Sequence, residues 1–117
     1  MLFSFGTWRT QPLSAVTKPY LGTYECARAY YGQTDVLKEF SYIQLELKDK
    51  ETYVLSFCEK GSKQQEKVGR YAYDETKGTL TLYAEGGIQR SFPMEKGVLT
   101  VSVPILGKTL YLQFKQN

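Results

Sequence analysis

The chain has 117 residues, a length that suits one domain and is too short for two ordinary ones. Its 15 Lys and Arg are scattered among 12 Asp and Glu, giving a net charge of +3 without the basic stripe typical of nucleic-acid-binding domains. Histidine is absent, which excludes Ser/His and Cys/His nucleophile pairs and every His-ligated metal site. We therefore expect a protein that is not an enzyme, has no cofactor and binds no nucleic acid.

Residues 1–20 differ in character from the rest of the chain. They carry Phe3, Phe5 and Trp8 without alternation, and Pro12 and Pro19 break any long element. The segment predicts an aromatic lid or plug over one end of the domain, or else a flexible tail or partner-binding arm. The sequence shows neither a signal-peptide pattern nor a transmembrane stretch, so a cytoplasmic location is the default expectation and export stays open.

From Leu21 onward, short alternating segments are separated by turn-forming residues at intervals of about ten to twelve. The clearest predicted strand covers residues 37–48, where Ile43, Leu45 and Leu47 alternate with polar residues. Seven further strands are predicted at residues 22–30, 52–58, 67–73, 79–84, 88–94, 98–103 and 109–115. The ten Tyr and six Phe suit pleated surfaces of this kind.

No segment has helical periodicity and every connection is short, so each strand should pair with the one before it in an antiparallel sheet. Strands of this number either stack as two sheets or close on themselves, and closure removes the exposed edges that invite aggregation. We therefore predict an all-β domain over residues 21–117, a single antiparallel up-and-down β-barrel of about eight strands.

Several short motifs are similar to those of a known family: Gly22-Thr23-Tyr24, GRYAYD at 69–74, TLTL at 79–82 and LYLQF at 110–114. Together with the strand order and turn spacing over residues 21–115, they resemble the small lipocalin-like (calycin) domains of many bacterial proteins. Classical lipocalins carry Gly-x-Trp in the first strand, where the Trp packs against an Arg of the last strand. Here Tyr24 takes the position of the Trp, and no Arg follows Arg90. The resemblance implies a cup for a small hydrophobic or amphipathic ligand.

Strand alternation predicts a ligand site on the inner face of the barrel. Counting by twos places Arg28 in step with Tyr24 and Arg90 in step with Phe92. An inward guanidinium needs a carboxylate, carbonyl groups or an anionic ligand, because it cannot lose its proton. The candidate ligand-binding residues are Tyr24, Arg28, Tyr53, Phe57, Tyr71 and Arg90. The alternative is that both arginines reach water, and a shift of register by one residue would turn them outward.

Two functions stay open at this point. The first is a non-catalytic binding protein that holds a small hydrophobic or anionic ligand in a barrel cup. The second is a protein-protein interaction or inhibitor module that uses the barrel surface and the amino-terminal segment. Cys26 and Cys58 lie out of phase in their strands, so we expect them on opposite faces and without a disulfide.

Overall fold

The computed structural model describes residues 18–84 and 87–117. The predicted lid, plug or arm at residues 1–20 lies outside the described residues except for its last three, and it stays a prediction. The strands are β1 (Gly22–Tyr31), β2 (Thr34–Asp35), β3 (Phe40–Lys48), β4 (Thr52–Glu59), β5 (Gln65–Asp74), β6 (Thr79–Tyr83), β7 (Gln89–Glu95), β8 (Val98–Ile105) and β9 (Lys108–Gln116). Short 3-10 turns occupy Leu37–Glu39 and Asp49–Glu51.

The predicted antiparallel barrel is confirmed. β1 pairs with β3, each strand from β3 to β8 pairs with the next one along the chain, and β9 pairs back with β1 to close the barrel. The two-residue β2 is an addition that pairs with the end of β1. The strand predicted to begin at Leu37 begins at Phe40, because the Leu37 amide donates to the Asp35 carboxylate at 3.0 Å and starts a 3-10 turn.

Packing inside the barrel differs between its two ends. We call the end with the β3–β4, β5–β6 and β7–β8 connections the closed end, and the other end the open end. Buried apolar side chains lie mostly toward the closed end: Tyr24, Leu45, Leu47, Tyr53, Tyr71, Leu80, Phe92, Met94, Leu99, Val101 and Phe114. Toward the open end, the apolar side chains packed against this core are only half-buried: Ile43, Leu55, Leu82, Val103 and Leu112.

The chain enters the barrel at the closed end, and two side chains fix it there. Tyr24 is fully buried, and its hydroxyl donates to the Tyr20 carbonyl at 2.7 Å. Gln116, on the last strand, donates from its Nε2 to the Pro19 carbonyl at 2.7 Å and to the Leu21 carbonyl at 3.0 Å. Gln116 thus fixes the entering chain to the last strand. Classical lipocalins have an Arg in that strand, and this sequence has none there.

Replacing Gln116 with Leu is expected to lower the free energy of unfolding by about 1–2 kcal/mol, since two carbonyls lose their side-chain donor. The measurement is urea unfolding followed by fluorescence. Gln113→Leu, on the outer face of the same strand, is the matched control and should change stability by less than about 0.5 kcal/mol. Equal losses in the two variants would show that Gln116 does not hold the entering chain.

Candidate ligand site in the barrel interior

A β-bulge in β1 decides where Arg28 points. The register of β1 against β9 shifts by one residue between Cys26 and Arg28. Cys26 pairs with Phe114 on one side of the bulge, and Ala29 pairs with Leu112 on the other. Both residues point into the barrel although they are three positions apart, an odd spacing that a regular strand does not allow. Arg28 therefore lies on the outer surface and is exposed, contrary to the inward position that counting by twos predicts.

Arg90 keeps the predicted phase but not the predicted burial. It lies on the same face of β7 as Phe92 and Met94, which are buried, and its cross-strand neighbour Leu82 is part of the half-buried lining. Its own side chain is exposed. The structure therefore does not bring Arg28 and Arg90 together, and Arg90 alone lies at the open end of the interior.

Tyr24 and Tyr71 belong to the closed end, where their hydroxyls have backbone partners. The Tyr71 hydroxyl donates to the Lys48 carbonyl at 2.8 Å, as the Tyr24 hydroxyl does to Tyr20. Burial raises the pKa of both phenols well above the usual tyrosine value, and neighbouring tyrosines raise it further. These two predicted site residues thus have their hydroxyl protons engaged in structural hydrogen bonds.

The raised pKa values of Tyr24 and Tyr71 predict a loss of stability in alkali. In the unfolded chain both phenols ionise near pH 10, whereas the folded protein keeps them protonated, so the folded state binds more protons above that pH. The stability they contribute is complete below pH 10 and is lost as pH rises above it. Urea midpoints measured from pH 8 to 11 should fall above pH 10, and less steeply in Tyr24→Phe; an identical decline in that variant would contradict this assignment.

Tyr53 differs from the other two because its hydroxyl has no hydrogen-bond partner among the described residues. The side chain is 7% exposed, and burial raises its pKa. Its ring packs over Gly69, the cross-strand neighbour on β5, where a side chain would find no room. Tyr53 is therefore a buried hydroxyl that is free to donate to a ligand.

Tyr53 lines an open recess of about 570 Å³ in the barrel wall. The recess lies beside the first half of β5, which runs past the end of β6 and, among the described strands, pairs there with β4 alone. Its other lining residues are Leu55, Glu66, Lys67, Val68 and Ala84. Lys67 pairs with Leu55 and so shares the inner face, which places an ammonium group next to an apolar wall.

The open end of the interior is mainly apolar. Phe57 is half-buried and packs edge-on against Phe40, with ring centroids 6.3 Å apart. Ile43 is its cross-strand neighbour on β3, and Leu55 lies two residues away on the same face of β4. Of the predicted ligand residues, Phe57 and Arg90 lie toward this end, and Tyr53 lines the recess beside β5. Leu55, Ile43 and Lys67 were missed, although the alternation of β3 and β4 carries the signal for the first two.

The two cysteines are free and lie on opposite faces of the sheet, as their phases predict. Burial raises the pKa of the Cys26 thiol. Across residues 18–84 and 87–117, no group of three or more His, Cys, Asp or Glu side chains is placed to hold a metal ion.

Comparison with known proteins adds no family. No protein-family model matches the sequence, and no curated protein matches it significantly. In the part of the chain that the structure describes, no helix has the length and apolar character needed to cross a membrane. The eight-stranded antiparallel barrel is compatible with a lipocalin-like fold.

Proposed function

We propose that this domain is a non-catalytic, lipocalin-like binding protein that holds a small apolar or amphipathic anionic ligand at the open end of its barrel. The contrast between the two ends carries the proposal: most of the buried core side chains lie toward the closed end, whereas the larger apolar side chains that line the open end are only half-buried. Covering apolar surface is worth about 25 cal/mol per Å², so a ligand seated on this lining gains affinity without rearranging the core.

The polar groups of the open end and of the adjoining recess suit an anionic head group. Tyr53 offers a hydroxyl inside the recess that has no hydrogen-bond partner among the described residues. Lys67 and Arg90 share the inner face and are exposed, and neither forms an ion pair with another described residue. Glu66 lines the outer side of the recess, and its charge favours a head group seated toward Tyr53 and Lys67. A ligand whose apolar part packs on Leu55 and whose anionic group points toward Lys67 and Arg90 therefore matches this surface.

The apolar contact is tested with 1-anilinonaphthalene-8-sulfonate, an aromatic anion whose fluorescence rises when it is bound. Leu55→Gln should weaken its binding about tenfold, the equivalent of one lost apolar contact of about 1.4 kcal/mol. Val54→Gln is the matched control, because Val54 directly precedes Leu55 on β4 and faces outward. It should change the dissociation constant less than twofold. Equal weakening by both variants would contradict an interior site.

The charged contact has its own matched pair. Arg90→Met should weaken binding of the same probe about three- to tenfold, and the difference from wild type should shrink at high salt. Arg28→Met removes the same charge from the outer surface, where the bulge places it, and should leave affinity within twofold. A larger loss for Arg28→Met would show that the anion binds outside the barrel.

The alternative function is a protein-protein interaction or inhibitor module. The aromatic segment proposed for that role falls on residues outside the described ranges. A different feature of the barrel favours an interaction role, the incomplete pairing of β7 with β8.

A further inference from the structure

β7 and β8 are joined at only one end of their length. They pair at Met94 with Leu99 and at Glu95 with Val98, next to the turn between them, and at no other described position. Yet β7 extends back to Gln89, and β8 extends to Ile105. Residues 89–93 and 100–104 therefore form two facing strand edges, which we call the β7–β8 seam.

The backbone groups that face the seam follow from the two-residue turns at either end of β8. Both turns have positive φ at each central residue, the type I′ geometry in which the flanking residues pair directly. The Gln116 amide donates to the Gly97 carbonyl at 2.8 Å, so the odd-numbered residues of β8 face β9. The even-numbered Thr100, Ser102 and Pro104 therefore face the seam. The Met94 amide donates to the carbonyl of Gly78, which directly precedes β6, so the even-numbered residues of β7 direct their backbone groups toward β6. The odd-numbered residues of β7 therefore face the seam.

Two prolines explain why the seam does not close. Continuing the ladder beyond Met94 would pair Pro93 with Thr100 and, farther along, Gln89 with Pro104. Proline has no amide hydrogen, so each of these pairs would lack one of its two hydrogen bonds. Within sheets, proline is confined to edges, strand starts and bulges. The sequence thus specifies two edges here rather than a continuous sheet.

The outer end of the seam is apolar and exposed. Ile88 precedes β7 and is 56% exposed, while Ile105 at the end of β8 is 39% exposed. Leu106 is 94% exposed and has φ of 51°, in a turn position that normally takes Asn, Asp or Gly. Leu106 is unfavourable here for two reasons: its apolar side chain is exposed to water, and its backbone has a positive φ. Such locally unfavourable residues are typical of positions that contact a partner.

We propose that the seam edge of β8 binds an extended strand of another protein, with apolar side chains alternating with hydroxyl side chains. The Met94–Leu99 pair engages the Thr100 amide with the Pro93 carbonyl, so an added strand would satisfy the carbonyl of Thr100 and the amide and carbonyl of Ser102. Its inward side chains would lie beside Val101 and its outward ones beside the hydroxyl of Ser102. A carboxylate at the end of the added strand would pair with Arg90, which lies in the same seam. An acyl chain would leave the backbone groups without partners, so a peptide is the better match. This inference does not depend on the ligand site.

Amide hydrogen exchange along β8 tests whether the edge is free. The amides of Val101 and Val103 are bonded to β9, whereas those of Thr100 and Ser102 face the seam. We expect Ser102 to exchange at least 100-fold faster than Thr100, Val101 and Val103 in the free protein, because the Thr100 amide is engaged by the Pro93 carbonyl. Comparable slow exchange at all four positions would show that the seam is closed and would overturn the proposal.

A synthetic peptide, acetyl-Glu-Val-Thr-Val-Thr-Val-Thr-Glu-amide, tests docking. It should slow exchange at Ser102 at least tenfold at saturation. Two versions of the peptide, N-methylated at odd-numbered or at even-numbered residues, should differ, because only one of these two sets of amides faces β8. Ser102→Pro should abolish docking, while Ser102→Ala keeps the backbone amide and should retain it. If Ser102→Pro fails to fold, the comparison of peptides decides. Protection of interior positions such as Leu55, or of no position on β8, would overturn the proposal.

Discussion

Replacing Tyr24 with Ala is expected to lower the free energy of unfolding by about 3–5 kcal/mol, the loss seen when a large buried aromatic is removed from a core. Tyr24 has no exposed surface, and it packs with the core at the end where the chain enters the barrel. Its hydroxyl also holds the Tyr20 carbonyl. The variant should therefore lose both core packing and the attachment of residues 18–21.

Tyr24→Phe separates these two contributions, because it keeps the ring and removes only the hydrogen bond. It should cost about 1 kcal/mol. Chemical unfolding of the three proteins by circular dichroism gives the measurement. A loss in Tyr24→Phe as large as that in Tyr24→Ala would mean that the hydrogen bond, and not ring packing, dominates at the closed end.

Replacing Gly69 with Ala is expected to destabilise the fold by about 2–3 kcal/mol, in the upper part of the range for overpacked sites. A methyl group there would lie 2.6 Å from Cε2 of Tyr53 and 2.6 Å from the backbone carbonyl oxygen of Tyr83. The Tyr53 ring can move away, but the Tyr83 carbonyl is fixed in the β5–β6 ladder. Because Tyr53 lines the recess, the same change should also weaken binding of anilinonaphthalene sulfonate.

Gly61→Ala is the control for Gly69→Ala. Gly61 has φ of +81° and no atom within 4 Å of an added methyl, so its cost is backbone strain alone, about 1 kcal/mol. Urea unfolding of both variants gives the comparison. If Gly61→Ala is the more destabilising of the two, Tyr53 does not pack over Gly69 as the structure shows.

The barrel could be predicted from the sequence because its strands carry clean alternation between turn-forming residues. Ile43, Leu45 and Leu47 fix the phase of β3, and the Gly97 and Gly107 turns fix the hairpins around β8. The start of β3 was predicted three residues too early, because the Asp35 carboxylate that bends the chain into a 3-10 turn acts through a local side-chain hydrogen bond. Periodicity does not register such a bond.

The candidate site was predicted only in part, because a bulge leaves little mark on a sequence. No Gly or Pro marks the shift between Cys26 and Arg28, so counting by twos carried Arg28 to the wrong face. The seam had a readable signal in Pro93 and Pro104, since proline in a strand indicates an edge. The difference in packing between the ends depends on contacts between distant strands, which alternation alone does not predict.

The most direct test of a ligand site at the open end is the measurement of intermolecular nuclear Overhauser effects between bound anilinonaphthalene sulfonate and methyl-labelled protein. We expect contacts to the methyl groups of Leu55, Leu82 and Leu112, which line the open end of the interior. Contacts confined to outward-facing methyls such as those of Val54, or none at probe saturation, would contradict the proposal that this barrel holds its ligand inside.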